Sequence, residues 1–199
     1  MKVVLFGASG TIGKAIVAEL GSRHEIVAVG SRSGDVQVDV TDAASIRRGF
    51  ETIGRCDAVV SAVGKVKFAP LEALDEAGYA VGLRDKLMGQ VNLVLIGREF
   101  VSDGGSFTLT SGVLSHDPVR AGSSASMVNA ALDGFVRAAA IELPRGLRIN
   151  AVSPGVLVES MGAYAPFFRG HEPVPAARVA LAYSKSVEGA LSGRVFEVL

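Results

Sequence analysis

The stretch Gly7-Ala8-Ser9-Gly10-Thr11-Ile12-Gly13 lies between two patterns of opposite period. Before it, Val3-Val4-Leu5-Phe6 is an apolar, β-rich run of the length of a buried strand. After it, Lys14-Ala15-Ile16-Val17-Ala18-Glu19-Leu20 reads as a helix, with Ile12, Ile16 and Leu20 on one face. Strand, glycine turn and helix are the context of a phosphate-binding loop. Gly7 would allow the tight turn, Gly10 the approach of backbone to a pyrophosphate, and Gly13 close packing of helix on strand. The amides at the helix start, with Ser9, Thr11 and Ile12 around them, would then face an anion at the positive end of the helix dipole.

Downstream, His24-Glu25-Ile26-Val27-Ala28-Val29-Gly30 is a second strand that runs into Ser31-Arg32-Ser33-Gly34. A dinucleotide fold reads the adenosine ribose at this point, with a carboxylate for a free 2′-hydroxyl and a basic group for a 2′-phosphate. Ser31, Arg32 and Ser33 offer no carboxylate, which favours NADP(H) over NAD(H); the alternative is a solvated turn with one surface arginine. Val36-Gln37-Val38 follows too soon for a crossover helix, which parallel neighbours normally require. One helix is therefore expected to be missing after the second strand, leaving residues 36–38 as a short or irregular edge. Asp39 or Asp42 is placed to cap a helix over residues 43–52, with Ile46, Phe50 and Ile53 as its apolar stripe.

The remaining pattern alternates. Strands are expected at residues 57–64, 106–111, 148–152 and 194–198, and helices at 79–100, 124–143 and 176–191. A loop with Tyr164, Phe167 and Phe168 precedes the last helix. Alternation of this kind gives a doubly wound, Rossmann-like α/β fold, a parallel sheet of about seven strands, as one domain over residues 1–199. The 199-residue length suits one core, and 49% hydrophobic with 20% charged residues is a globular composition. Twenty basic residues balance 20 acidic ones, which gives no argument for nucleic acid or a membrane surface as partner. Cys56 is the only cysteine, so no intrachain disulfide can form and no metal site is expected. The amino-terminal apolar run is too short for a signal peptide, and the expected location is the cytoplasm.

These motifs, taken together over nearly the whole chain, resemble the short-chain dehydrogenase/reductase family. The glycine loop matches that family's TGxxxGxG, with Phe6 in place of the threonine. The resemblance implies that Asp39 and the Val40 backbone meet the adenine. It also implies that Ser61-Ala62-Val63-Gly64 stands at the Asn-Asn-Ala-Gly turn, with Ala62 and Gly64 against the cofactor. Asn150-Ala151-Val152-Ser153-Pro154-Gly155 resembles the segment that lines the nicotinamide, contributed here by Pro154 and Gly155. A homodimer is expected on the same ground, through the helix that carries Ala130, Ala131, Gly134, Ala138 and Ala139; alternatively this small-residue face packs on its own sheet.

The family's Tyr-x-x-x-Lys does not carry over. Ala125 stands at the tyrosine position and Asn129 at the lysine position, and Tyr79, Tyr164 and Tyr183 have Leu83, Phe168 and Val187 four residues on. An alanine methyl cannot move a proton. In this the chain is similar to atypical short members of the family. Ser111 is kept, to bond a carbonyl or the nicotinamide carboxamide, or merely to cap a strand end. Anchoring on Leu87 and Gly89 puts Lys86 at the family's central-helix asparagine, where it either reaches into the cleft in place of the lost lysine or is solvated. His116, in the loop after the Ser111 strand, has a suitable pKa range for a substitute acid, or is simply a solvated loop residue. Tyr164 is a further candidate, with Phe167 and Phe168 beside it as an apolar lid. The expected function is NADP(H)-dependent oxidation or reduction of an unidentified small carbonyl or alcohol. The alternatives are a catalytically inactive NAD(P)(H)-binding sensor or scaffold, and an interaction module that has lost the nucleotide.

Overall fold

A computed structural model describes residues 1–199. One parallel sheet runs through it in the order β3-β2-β1-β4-β5-β6-β7. The strands are β1 (Lys2–Phe6), β2 (Glu25–Gly30), β3 (Val36–Gln37), β4 (Cys56–Ser61), β5 (Val101–Thr110), β6 (Arg148–Pro154) and β7 (Val195–Val198). The helices are α1 (Thr11–Leu20), α2 (Ala43–Ile53), α3 (Glu76–Gly82), α4 (Gly89–Gly97), α5 (Ser123–Glu142), α6 (Met161–Tyr164) and α7 (Ala176–Glu188). No helix is long and apolar enough to cross a membrane.

Alternation along β1 sorts the core into two layers. Val4 and Phe6 face one side and join Ile46 and Phe50 of α2, Leu93 of α4, and Leu132 and Val136 of α5. Val3 and Leu5 face the other and join Ile16 and Leu20 of α1 with Val179 and Tyr183 of α7. Burial on both faces explains why the strands read as continuous apolar runs rather than alternating ones.

The helix expected to be missing after β2 is absent. β3 is nonetheless a true, two-residue parallel strand, with Val36 opposite Val29. The return over residues 31–35 works because Asp35 stands in for a strand partner. Its amide donates to the Ala28 carbonyl at 2.8 Å, and its carboxylate accepts from the Ala28 amide at 2.8 Å. Gly34 holds φ +114°, and a Cβ there would lie 2.6 Å from the Ala28 oxygen, so the turn needs glycine.

Several boundaries differ from the sequence reading, among them the end of β4 at Ser61 and not at residue 64. β5 begins at Val101, not at residue 106, because Gly104 and Gly105 absorb a register shift against β4 between Cys56 and Ala58. α7 ends at Glu188, where Gly189 takes the C-cap, rather than at residue 191. The helix expected over 79–100 starts at Glu76, with the Asp75 carboxylate accepting from the Gly78 amide, and changes to π geometry over Leu83–Met88 before α4. Of the two capping candidates, Asp42 caps α2 by accepting from the Ala44 amide.

Candidate functional site

The sheet reverses its order of connection between β1 and β4, so the carboxyl ends of these strands open a crevice, the usual ligand position in such sheets. Two adjoining clefts occupy it, of about 270 Å³ and about 250 Å³, and they share Ala62, Val63 and Gly64.

The first cleft is built on the glycine loop. Gly7 holds φ +86°, and a Cβ there would meet the Ala62 carbonyl oxygen at 2.7 Å. At Gly13 a Cβ would sit 2.0 Å from the Gly7 oxygen, so the helix start and the loop are in backbone contact. Gly10 is different. Its Cβ would touch only the Gly7 oxygen at 3.4 Å, so the space beyond it is open. Gly10 is the N-cap of α1 and supplies no side-chain acceptor. The first-turn amides of Thr11, Ile12 and Gly13 thus lack the intrahelical partners that later amides have, and they suit an anion. These features fit a diphosphate.

Ser31, Asp39 and Val40 also line this cleft. Asp39 is turned onto its own loop, where it accepts from the Thr41 amide at 2.9 Å and the Thr41 hydroxyl at 2.7 Å. Those bonds lower its pKa. Arg32 and Ser33 are exposed beside the cleft and are not part of its lining.

The second cleft holds Ile12, Lys86, Ser111, Ala125, Asn129, Pro154 and Gly155. Lys86 is not solvated at its tip. Its stem packs on Gly64, where a Cβ would come within 2.5 Å of the lysine Cγ. Its Nζ donates to the Ser111 carbonyl at 2.9 Å. Desolvation brings its pKa down to about 8, against an opposing pull from Asp133 on α5. At neutral pH it is still an ammonium, with two of its three N–H groups left for a ligand.

Ser111 is buried, and its hydroxyl donates to the Asn129 carbonyl at 3.3 Å. Asn129 is itself only 3% exposed, and its Oδ1 has no partner. Its Nδ2 lies 2.8 Å from where a Gly112 Cβ would be. A buried amide oxygen without a donor costs free energy unless something in the cleft supplies one.

His116 does not belong to this site. The 3-10 turn Val113–Ser115 directs Val113 and Leu114 inward and leaves His116 exposed, with Nδ1 3.3 Å from the Ser115 hydroxyl and 3.9 Å from Glu197. Tyr164 does line the cleft, at its rim, with its ring edge-on to Phe68 at 5.5 Å and to Phe168 at 6.2 Å. Tyr183 is fully buried in the opposite layer, where its hydroxyl meets Thr110 Oγ1 at 2.6 Å.

Two residues went unnoticed in the sequence. Gln90 is completely buried and ties the π segment to the end of β5. Its amide donates to the Thr110 carbonyl at 2.9 Å and to the Lys86 carbonyl at 3.1 Å, and its Oε1 accepts from the Thr110 amide at 2.8 Å. A glutamine on an otherwise apolar helix stripe was the available signal. Phe68, in an unassigned stretch after the Gly64 turn, forms the cleft wall with Phe168, 6.5 Å between rings.

Comparison with known proteins agrees with this geometry. The family model described as Enoyl-(Acyl carrier protein) reductase matches residues 2–185. The chain belongs to the short-chain dehydrogenase/reductase family. Among solved structures it is similar to the protein lin1944 from Listeria innocua, with 49% identity over 100% of both chains and a TM-score of 0.99. A small-chain dehydrogenase shares 25% identity over 100% of this chain and 95% of that one, TM-score 0.86. Another, solved in complex with NADPH, shares 24% over 100% and 96%, TM-score 0.88. No curated protein matches the sequence significantly.

Proposed function

We propose that the protein binds NADP(H) along the two clefts and acts as an oxidoreductase on a small carbonyl compound, with Lys86 in place of the missing tyrosine as the group that meets the carbonyl oxygen. The observation that carries this reading is the Lys86 ammonium, buried beside Ser111 in a cleft continuous with the glycine loop. The NADPH-bound small-chain dehydrogenase supports the cofactor.

The glycine loop and the α1 amides would hold the diphosphate. Ser31 and Arg32 would take the 2′-phosphate, Asp39 and Val40 the adenine. Ala62, Gly64, Pro154 and Gly155 would flank the nicotinamide side. Bound as NADPH, the cofactor supplies a hydride. Lys86 would donate a hydrogen bond to the substrate oxygen and neutralise the charge that develops there, an electrostatic contribution favoured by its dry surroundings. Ser111 would orient the same oxygen or the carboxamide, and Gln90 would keep the π segment, and so Lys86, in place.

NADPH oxidation over a panel of carbonyl compounds, with wild type, Lys86→Met and Tyr164→Phe, tests this. Loss of one oxyanion-stabilising donor costs about 10²- to 10³-fold. The proposal expects that loss in Lys86→Met and a small effect in Tyr164→Phe. The reverse pattern would move the role to Tyr164. Tight NADPH binding with no turnover of any carbonyl would instead favour a non-catalytic sensor, the reading that Ala125 supports.

The small-residue face of α5 bears on assembly. Ala130, Ala131, Gly134 and Ala138 point outward, and a Cβ at Gly134 would meet nothing within 4 Å, while Leu132 and Val136 pack on the sheet. Ala139, on the same helix, packs against the core, while the rest of this face does not cover the sheet. We infer a homodimer through this face; a monomer by light scattering would refute this. A cytoplasmic location is part of the same reading.

A further inference from the structure

The second cleft lacks a phenol at Ala125, has a buried cation at one end, and is walled by aromatic rings. Phe68 lies 5.5 Å from Tyr164 and 6.5 Å from Phe168, and Val113, Leu114 and Val156 complete an apolar surround. At the polar end the Lys86 ammonium donates to the Ser111 carbonyl at 2.9 Å, and Asn129 Oδ1, on a residue 3% exposed, has no partner. A ligand that satisfies this cleft needs a flat apolar body for the wall, an oxyanion for Lys86, and a hydrogen-bond donor for Asn129. We infer that the cleft is a site for planar quinones and their hydroquinones, with the ring against Phe68 and Phe168 and a phenolate oxygen on the Lys86 ammonium. This deepens the oxidoreductase reading above by naming its substrate class.

Proton chemistry separates this class from simple ketones. Hydride addition to a ketone leaves an alkoxide, whose conjugate acid has a pKa near that of water, about 16. Such an anion must take a proton outright, and with Ala125 at the tyrosine position Lys86 would have to give up its own. Hydride addition to a quinone adds two electrons and one hydrogen and gives a hydroquinone monoanion, with the nicotinamide oxidised. That phenolate has a conjugate acid of pKa about 10, like tyrosine. Beside an ammonium, which lowers an acid's pKa by about 1–3 units, it can rest as the phenolate and take its second proton from water on release. Asp133 on α5 is the acidic group acting on Lys86; it opposes the desolvation of the ammonium and does not line the cleft.

The test uses 4-nitrophenol, whose phenolate absorbs visibly, and requires no cofactor. An opposite charge within a few ångströms lowers an acid's pKa by about 1–3 units. Titration with wild-type protein is expected to lower the apparent pKa of the bound phenol by at least one unit, a tenfold rise in phenolate at a fixed acidic pH. Lys86→Met is expected to abolish the shift. Phe68→Ala, which leaves the charge alone, is expected to weaken binding about three- to tenfold while keeping the shift. Nitrobenzene, which keeps the ring and lacks the phenol oxygen, is expected to compete poorly. An unshifted pKa, a shift that survives in Lys86→Met, or nitrobenzene binding as tight as the phenol would each overturn the assignment. A parallel titration with NADPH keeps the two readings apart. If NADPH binds and the phenol is unshifted, the quinone assignment falls alone. If NADPH does not bind and the shift is present, the cofactor reading falls and the phenolate site stands.

Discussion

Gly10 and Gly13 differ in what an added methyl group would meet, and the difference separates folding from binding. At Gly13 the new Cβ would lie 2.0 Å from the Gly7 oxygen and 2.8 Å from Ala8 backbone atoms. Backbone cannot swing aside as a flexible side chain can, so α1 must move off β1. Overpacking of this kind costs about 1–3 kcal/mol, and the rigid partners put Gly13→Ala at the upper end. For a chain of this size 1 kcal/mol is about 2–4 °C in Tm, so a fall of about 6–12 °C is expected. At Gly10 the Cβ would meet only one atom, at 3.4 Å, and φ is −75°. Gly10→Ala should therefore leave Tm within about 2 °C, because surface substitutions without a clash stay within about 0.5 kcal/mol. Yet the methyl stands where a diphosphate must approach the α1 amides, and NADPH binding should weaken at least tenfold, about 1.4 kcal/mol. Thermal unfolding and calorimetric titration of both variants provide the check. Gly10→Ala binding NADPH like wild type would refute the placement of the diphosphate on this loop.

Arg32→Ala is expected to lower NADPH affinity about tenfold and leave NADH affinity unchanged, since only a 2′-phosphate uses the guanidinium; equal losses for both, by calorimetry, would make Arg32 a bystander. Lys86 has its pKa lowered from 10.5 unfolded to about 8, so the unfolded chain binds the extra proton between those values and stability rises with pH across that window. Buried Cys56, raised to about 11, acts in the opposite sense. The contribution is therefore read from wild type minus Lys86→Met in denaturant titrations at pH 7, 8.5 and 10, where wild type should gain relative to the variant. A pH-independent difference would contradict the burial of the ammonium. Glu188 is held down to about 2 by hydrogen bonds from Arg23 and Ser184. Its stabilisation is complete above its unfolded value of 4.5 and is lost as pH falls toward 2. Glu188→Gln should flatten the acid limb of stability measured at pH 6, 4 and 3, and an unchanged limb would show that the Arg23–Glu188 pair does not contribute.

The glycine loop was legible because its flanks switch from strand to helix period within a few residues. The missing helix after β2 was legible by arithmetic alone, since residues 31–35 cannot hold a crossover. What could not be read was how Asp35 makes the short return possible, because a carboxylate replacing a strand partner leaves no periodic trace. Lys86 was located by counting from Leu87 and Gly89, but its direction was not. The π segment over Leu83–Met88 rotates the helix, and Gln90 fixes that rotation through contacts with Thr110, some twenty residues away in sequence. His116 misled for a related reason. The 3-10 turn before it chooses which residues face inward, and composition favoured the histidine while packing favoured Val113 and Leu114. The aromatic wall combines Phe68 and Phe168 from distant loops, a pairing that only the fold creates.

Titration calorimetry of the purified protein with NADPH, beside NADH and ATP, tests most directly the proposal that the glycine loop holds a dinucleotide. One NADPH per chain, bound more tightly than NADH and far more tightly than ATP, is the expected result. Heat indistinguishable from dilution for both dinucleotides would contradict it.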